Sequence, residues 1–271
     1  MLVSTHWLAN NLGDVILLDA SMSKVVGKTP IEYDQPTYIP GSLKLDLENE
    51  LVDPHADMVN AFPTPVQFAE VASNLGIEAD SQVVIYDNQG LYSSPRAWWI
   101  FYAMGFKRVK VLDGGLPQWI ADGYKTSDMH ASAPAKSSIQ PNFEQQLVCD
   151  AAYVLGCTND ESVAIIDARA GERFRGEVAE PRSGMRSGHI PSSLNLPFAQ
   201  VLDGHKFKSE ADLKTLFAEL VPTGGKLVFS CGSGITACII MLAAHIAGYT
   251  DTSLYDGSWA EWGGNEALPI S

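Results

Sequence analysis

The sequence predicts an α/β fold made of two similar domains, each a parallel sheet flanked by helices. Three observations support this prediction. The chain has 271 residues, enough for two domains of roughly 100–200 residues each. Short apolar, β-branched runs such as 15–19 and 226–230 alternate with helical patterns such as 95–106 and 236–249, which is typical of a parallel sheet covered on both faces. The third observation is an internal repeat.

The two halves of the chain match each other in four places and in the same order. The matching pairs are 15–21 with 163–169, 38–42 with 189–193, 82–90 with 226–234, and 105–119 with 248–262. The third pair is offset by 144 residues and the fourth by 143, so the halves are interpreted as copies of one domain. Between them, 127–142 is rich in Ser, Ala and Pro, as in a linker. We therefore predict domains at 1–130 and 143–271 joined by a linker at 127–142.

Composition narrows the partners that the protein can have. It carries 18 Lys and Arg against 32 Asp and Glu, a net charge of −14, whereas nucleic acids and anionic membranes require clustered positive charge. The first residues lack the pattern of a secretory signal, and the longest apolar stretch, 237–244, is too short to span a bilayer. We expect a cytoplasmic protein without nucleic acid or membrane partners, in which the four cysteines are thiols.

One of these cysteines, Cys231, directly follows a predicted buried strand and precedes a predicted helix. Ligands of parallel sheets bind beyond the carboxyl ends of the strands. Gly232 and Gly234 permit a tight loop whose N–H groups converge, and the helix adds the positive end of its dipole, so a thiolate is stabilised here. Cys231 is the candidate nucleophile, and its cradle consists of Gly232, Ser233, Gly234, Ile235 and Thr236. The alternative is that Cys231 is a buried apolar side chain.

The other three cysteines, Cys149, Cys157 and Cys238, are interpreted as packing residues. No pair has the short C-x₂-C spacing of a zinc site, so no metal is expected. A cysteine-dependent phosphatase requires an arginine after five intervening residues to bind the phosphate oxygens, and Ala237 occupies that position. The loop therefore argues against phosphatase chemistry.

Five segments together resemble the rhodanese superfamily of tandem-domain sulfurtransferases, over nearly the whole chain. They are G-L-Y-S-S-P-R-A-W-W at 90–99, R-F-R-G-E-V-A-E-P-R at 173–182, S-G-H-I-P at 187–191, C-G-S-G-I-T-A at 231–237 and Y-D-G-S-W-A-E-W at 255–262. The resemblance implies sulfur transfer through a persulfide on Cys231, an active site in the cleft between domains, and no metal or organic cofactor. It also implies a small-molecule sulfur donor and a thiol acceptor such as thioredoxin, or cyanide.

The resemblance also implies that the first domain is catalytically silent. The 144-residue offset places Asp87 at the position of Cys231, and a carboxylate cannot accept sulfur to form a persulfide. We expect the Asp87 carboxylate to accept hydrogen bonds from the N–H groups of its own loop.

The donor is predicted from the loop and from two arginines. Family members that use thiosulfate carry Arg and Lys where this chain has Gly232 and Ser233, which favours 3-mercaptopyruvate as the donor. Arg173 and Arg182 match the arginines that bind the substrate carboxylate in the family. Arginine suits this role because a guanidinium binds a carboxylate through two hydrogen bonds. Alternatively, they are solvated or paired with Glu172, Glu177 or Glu180, and Arg175 between them is predicted to lie on the surface. Tyr92 and Arg96 of the first domain are further candidates, for the opposite wall of the cleft.

The family members that use mercaptopyruvate resemble one another in a relay of three side chains. It consists of a serine two residues after the cysteine, a histidine and an aspartate. Ser233 matches the serine and is a predicted catalytic residue, and Glu48 falls near the Asp position. Asn60 stands where the histidine is expected, with His55 on the same segment as a substitute. His189 is predicted to be a structural hydrogen-bonding residue. Two alternative functions stay open: a thiosulfate sulfurtransferase, and a non-catalytic sulfur-relay or binding module.

Overall fold

The computed structural model describes residues 1–222 and 224–271, and these form two compact units. Each unit is discontinuous in sequence. The first unit consists of Met1–Asp53, Phe62–Glu144 and Asp203–Phe207. The second unit consists of Pro54–Ala61, Gln145–Leu202 and Lys208–Ser271.

The first unit alternates strands and helices. In chain order these elements are β1 Leu2–Val3, α1 Thr5–Asn11, β2 Ile16–Asp19, β3 Leu43–Lys44, α2 Pro65–Asn74, β4 Val83–Tyr86, α3 Ser94–Ala103, β5 Val109–Leu112 and α4 Gly115–Ala121.

The remaining elements lie mainly in the second unit. They are β6 Val148–Cys149, α5 Ala151–Cys157, β7 Val163–Asp167, α6 Gly171–Phe174, β8 Leu194–Asn195, a paired β9 Leu202–Asp203 and β10 Lys206–Phe207, α7 Glu210–Leu220, β11 Lys226–Ser230, α8 Ala237–Ile246, β12 Thr252–Tyr255 and α9 Ser258–Trp262. Short 3₁₀ turns occupy Gln145–Leu147 and Phe198–Val201.

The two units contain the same five-stranded sheet. Its order is β1-β5-β4-β2-β3 in the first unit and β6-β12-β11-β7-β8 in the second, and the neighbouring strands pair in parallel. The central strand, β4 or β11, pairs in register with the strands on both sides; Leu227, for example, lies opposite Ala164 and Thr252. The predicted α/β fold and the internal repeat are both confirmed.

Burial on both faces of each sheet explains why the sequence shows continuous apolar runs. All four residues of β4 are buried, and so are the last four of β11. The helices that follow the central strands are also submerged: nine of the ten residues are buried in α3 and nine of the ten in α8. Strands buried on both faces are rich in β-branched residues rather than alternating in polarity.

The two compact units have other bounds than the predicted domains, and the predicted bounds stay a prediction. The predicted linker at 127–142 is attached to the first unit, because Ser127 pairs with Tyr38, the Ser137 N–H donates to the Ser73 carbonyl, and the Asn142 N–H donates to the Met104 carbonyl. The first unit consequently extends to Glu144. A segment poor in apolar side chains still carries backbone N–H and C=O groups that require partners, and composition does not report them.

No helix in the part of the chain that the structure describes combines the length and the apolar character required to cross a membrane.

Candidate active site

The loop that follows the central strand of the second unit positions Cys231. This residue comes directly after β11 and lies six residues before α8 begins. Its side chain is buried and forms no disulfide. Gly234 adopts φ +78°, a left-handed conformation that glycine takes without strain, and this residue turns the chain back toward the helix. The predicted succession of buried strand, glycine loop and helix is therefore present.

The equivalent loop of the first unit is wrapped around Asp87, which directly follows the central strand β4. Its fully buried carboxylate accepts hydrogen bonds from the backbone N–H groups of Gln89 (2.8 Å), Tyr92 (2.9 Å), Ser93 (3.1 Å) and Ser94 (2.9 Å), and from the Ser94 hydroxyl (2.6 Å). The predicted structural role of Asp87 is confirmed. Successive N–H groups that converge on one point form an anion-binding loop.

Ser258, at the start of α9, holds the Cys231 loop through hydrogen bonds to its side chain. Its Oγ accepts hydrogen bonds from the backbone N–H of Cys231 (3.1 Å) and of Gly234 (3.2 Å) and donates to the Tyr255 carbonyl (2.9 Å). Ser258 is fully buried and has φ +50°, which is unusual for a residue with a side chain. In the first unit the matching residue is Gly115, with φ +53°. Sequence reasoning missed Ser258, although a serine that replaces a left-handed glycine of the other copy was a usable signal.

Two more hydrogen bonds attach the loop to α9. The Trp259 N–H donates to the Cys231 carbonyl (2.9 Å), and the Ala260 N–H donates to the Gly232 carbonyl (3.0 Å). The first unit repeats the former bond between the Leu116 N–H and the Asp87 carbonyl (3.0 Å). The backbone frame of the loop is therefore shared by both copies, and the copies differ in the side chain that the loop surrounds.

Arg173 brings a positive charge to the Cys231 loop. A Cβ atom added at Gly232 would lie 3.3 Å from Nη2 of Arg173, so the absence of a side chain at 232 leaves room for the guanidinium. Arg173 is carried by α6, and its Nε and Nη2 both donate to the Glu180 carboxylate. The alternative of pairing with Glu180 is therefore observed, and this pairing holds the guanidinium beside the loop.

Glu180 also belongs to a buried charge network. Arg169 donates through Nη1 to Glu180 (2.9 Å) and pairs with Asp167 (2.7 Å), and the exposed fractions of these three side chains are only 1–4 %. The Arg169 guanidinium lies over the Trp259 ring, 4.3 Å from its centroid. Sequence reasoning missed Arg169, whose position two residues after the end of the β7 strand was its one signal.

Arg175 and Arg182 lie at the surface. Arg175 is exposed and pairs with Glu177 at 2.8 Å, as expected. Arg182 is exposed in a segment without helix or strand, and within residues 1–222 and 224–271 no hydrogen bond or salt bridge holds it. The structure brings Arg173 to the loop and shows Arg182 in its solvated alternative, so a substrate role for Arg182 stays a prediction.

Asn60 reaches Ser233 within the second unit. Its Nδ2 donates to the Ser233 carbonyl (3.2 Å) and to Ser233 Oγ (3.1 Å). The sequence placed Asn60 where the family's histidine is expected, and this contact brings that position next to Ser233. A relay through Asn60 stays a prediction. His55 is exposed, and the Glu48 carboxylate, in the first unit, accepts hydrogen bonds from the Ser23 N–H (2.7 Å) and hydroxyl (2.8 Å).

Tyr92 and Arg96 are buried in the first unit. The Tyr92 hydroxyl accepts a hydrogen bond from the Val26 N–H (2.9 Å), and the Arg96 guanidinium lies 5.1 Å from the centroid of the Phe62 ring. Their contribution to substrate binding stays a prediction.

The remaining cysteines have the surroundings of packing residues. Cys238 is fully buried in α8, Cys157 belongs to the hydrophobic core of the second unit, and the partly buried Cys149 packs against that core. Burial raises the pKa of Cys149 to about 12 and also raises the pKa of Cys157, so both are thiols at neutral pH.

His189 has the structural role predicted for it. Its ring stacks on Phe174 with centroids 4.0 Å apart, and its Nδ1 lies 2.9 Å from the Phe174 carbonyl oxygen. Across the described residues there is no group of three or more His, Cys, Asp or Glu side chains placed to hold a metal ion.

Comparison with known proteins agrees with this arrangement. The Rhodanese-like domain family matches residues 4–122 and 150–265. The chain is 37% identical over 293 residues to the mitochondrial thiosulfate/3-mercaptopyruvate sulfurtransferase 1 of Arabidopsis thaliana, covering 99% of this chain and 77% of the relative. It is 32% identical over 278 residues to the 3-mercaptopyruvate sulfurtransferase of Escherichia coli K12, covering 99% and 96%. The crystal structure of SseA from Escherichia coli, a 3-mercaptopyruvate sulfotransferase, superimposes with a TM-score of 0.83 at 30% identity, covering 95% of this chain and 98% of that one.

Proposed function

The chain belongs to the rhodanese-like family, and from that premise we propose that it is a sulfurtransferase. It moves sulfur from 3-mercaptopyruvate to a thiol or to cyanide through a persulfide on Cys231, and releases pyruvate. One observation carries the proposal: the loop that encloses a carboxylate with four backbone N–H groups in the first unit has a nucleophile, Cys231, at the matching position of the second.

The first half-reaction balances without an external oxidant or reductant. The Cys231 thiolate attacks the substrate sulfur, an S–S bond forms, and the C–S bond breaks with its electron pair going to carbon. Pyruvate leaves as its enolate, which takes up one proton. Cys231 then carries a persulfide, whose terminal sulfur is held by the N–H groups of Gly232, Ser233, Ile235 and Thr236, as an oxyanion is held. The Gly234 N–H of the predicted cradle donates to Ser258 Oγ instead. An acceptor thiolate removes this sulfur and restores the Cys231 thiolate.

The donor is proposed from the charge around the loop. The loop itself carries no basic side chain, because Gly232 and Ser233 occupy its first positions after the cysteine. Arg173 supplies a guanidinium at Gly232, which suits the single carboxylate of mercaptopyruvate. Glu180 already binds the edge of that guanidinium formed by Nε and Nη2, so Arg173 approaches the substrate with its remaining N–H groups. In this proposal Arg182 completes the carboxylate site.

Mass spectrometry of the intact protein and of its peptides tests the mechanism. After incubation with 3-mercaptopyruvate and no acceptor, the Cys231 peptide gains the mass of one sulfur atom. Cys231→Ser abolishes both this gain and pyruvate release. Cys238→Ser is the matched control, since it changes a buried cysteine of the same segment and leaves the mass gain in place. Sulfur transfer by Cys231→Ser protein would disprove the persulfide mechanism and favour a sulfur-relay or binding module.

Thiosulfate is the second candidate donor, because the Arabidopsis relative carries both substrates in its name. Comparison of kcat/KM for the two donors ranks them. A higher value for thiosulfate would contradict the proposed carboxylate site at Arg173.

The acceptor that we propose is a protein thiol such as reduced thioredoxin, and the proposed compartment is the cytoplasm. The net charge of −14 supports the absence of nucleic acid partners. Pyruvate release measured with reduced thioredoxin, with dithiothreitol and with cyanide identifies the preferred acceptor by kcat/KM.

A further inference from the structure

We propose that Asn60 is a positioning residue that fixes Ser233 as a hydrogen-bond donor to the leaving enolate, so that Ser233 acts without a titrating partner. The inference rests on the proposed function and adds to it a role for an amide. Its basis is the pair of hydrogen bonds that join Asn60 to Ser233 inside the second unit.

The direction of these hydrogen bonds follows from their chemistry. A backbone carbonyl only accepts, so the Asn60 atom that lies 3.2 Å from the Ser233 carbonyl oxygen is the amide nitrogen. The same nitrogen lies 3.1 Å from Ser233 Oγ. The nitrogen of a side-chain amide has no lone pair to accept with, so the Ser233 hydroxyl accepts from Asn60. The hydroxyl proton of Ser233 is therefore directed elsewhere.

The backbone of Asn60 suits this role. Its φ of +58° lies in the left-handed region, which asparagine tolerates better than most residues with a side chain. The hydrogen bond to the Ser233 carbonyl fixes the amide plane, and the second hydrogen bond then fixes the hydroxyl. A donor that is oriented before the reaction requires no reorganisation when negative charge develops.

The consequence for the reaction concerns the charge on the enolate. When the C–S bond breaks, negative charge develops on the pyruvate oxygen, and a hydrogen bond from Ser233 stabilises that oxygen. A histidine at position 60 would take up or release a proton within the working pH range, whereas an amide does neither. Ser233 therefore donates a hydrogen bond and keeps its proton, and the enolate carbon takes its proton from solvent water.

Substitutions at Asn60 test the direction of the hydrogen bond. Asn60→Asp has the same shape and tolerates the same backbone, but its carboxylate accepts the Ser233 proton and withdraws it from the enolate. Asn60→Gly removes the amide without adding backbone strain. We expect kcat for pyruvate release to fall by about tenfold or more in both, with the larger loss in Asn60→Asp. Asn159→Asp makes the same chemical change at an exposed site of the second unit and leaves kcat unchanged.

A double-mutant cycle separates positioning from a general structural role. In a Ser233→Ala background, Asn60→Gly should change kcat by less than about twofold, because the group that it positions is already absent. A loss of the same factor in both backgrounds would overturn the proposal, and so would an Asn60→Gly enzyme with unchanged kcat. Circular dichroism and thermal unfolding verify that each variant is folded.

The pH profile provides an independent readout. Asn60→His should add an inflection near pH ~6.5 to kcat, since an imidazole titrates there and the wild-type amide does not. An Asn60→His profile that has the wild-type shape would contradict the proposal. Persulfide mass on wild-type Cys231 is measured in parallel. If it does not form, the proposed function fails; if it forms while the variants behave as wild type, the role of Asn60 alone fails.

Discussion

The hydroxyl of Ser258 is expected to hold the Cys231 loop in place, whereas the left-handed backbone of Ser258 is expected to be strained. Two substitutions separate the stabilising hydroxyl from the destabilising strain. Ser258→Ala removes Oγ and leaves the left-handed backbone strained, whereas Ser258→Gly removes Oγ and relieves the strain. Without Oγ, two buried N–H groups, of Cys231 and Gly234, lose their acceptor. An unsatisfied buried donor costs about 1–3 kcal/mol, so the loss of the acceptor for two donors should lower the free energy of unfolding of Ser258→Ala by roughly 2–6 kcal/mol.

Relief of strain makes the glycine variant the more stable of the two. A residue with a side chain pays about 1 kcal/mol or more in the left-handed region, so Ser258→Gly should be about 1 kcal/mol more stable than Ser258→Ala. At about 2–4 °C per kcal/mol, Tm falls by roughly 4–24 °C in Ser258→Ala and by a few degrees less in Ser258→Gly. Thermal unfolding followed by circular dichroism measures both.

Ser253→Ala is the matched control for Ser258. Ser253 is also fully buried, but its hydroxyl donates one hydrogen bond, to the Gln146 carbonyl (2.7 Å), and accepts none from the loop. Its loss should cost about 1 kcal/mol. Equal stability of Ser258→Ala and Ser258→Gly would refute the strain, and a Ser258→Ala variant as stable as Ser253→Ala would refute the role of the hydroxyl.

Three further predictions concern charge and space. Glu180→Gln removes the partner of two arginines, so Tm should fall by several degrees and KM for mercaptopyruvate should rise as the Arg173 guanidinium loses its anchor. Gly232→Ala places a Cβ 3.3 Å from Arg173 Nη2, so steady-state kinetics should show KM rising severalfold with a smaller change in Tm; an unchanged KM would contradict the placement of Arg173. Burial raises the pKa of Asp113, so its contribution to stability is present at low pH and is lost as pH rises through the folded-state pKa. Urea unfolding should therefore show Asp113→Asn gaining stability relative to wild type from about pH 4 to neutral, and a constant difference would refute this.

The sequence predicted those parts of the site that lie in one continuous segment or repeat between the halves. Cys231 was identified because a strand, a glycine loop and a helix follow one another in the chain. Asp87 was identified because the repeat aligns it with Cys231, and its hydrogen bonds are those expected. Asn60 was located only by counting along the chain, and the contact with Ser233 required the structure.

The features that the sequence did not predict depend on contacts between separate segments. The pairing of Arg173 with Glu180 was one of the stated alternatives, but the second ion pair of Glu180, with Arg169, was not, because neither hydrophobic periodicity nor composition reports such a convergence. The 54–61 segment belongs to the second unit although it lies within the first half of the sequence, because contacts and not chain order define a unit. In the sequence, Ser258 stands out only as one residue of the motif Y-D-G-S-W-A-E-W at 255–262, and its hydrogen bonds to the Cys231 loop required the structure.

The carboxylate at the centre of the first unit's loop has a consequence for the resting enzyme. In the first unit the anion is covalently part of the chain, so that loop is occupied as soon as the protein folds. In the second unit, the loop encloses an anion only after the first half-reaction, when the charged terminal sulfur of the proposed persulfide has formed. The terminal sulfur stays attached to Cys231 when the chain unfolds, so sulfur loading should stabilise the folded state through the hydrogen bonds that only the folded loop can donate to it. The protein would then be most resistant to unfolding as the Cys231 persulfide, after the donor has reacted and before the acceptor has removed the sulfur.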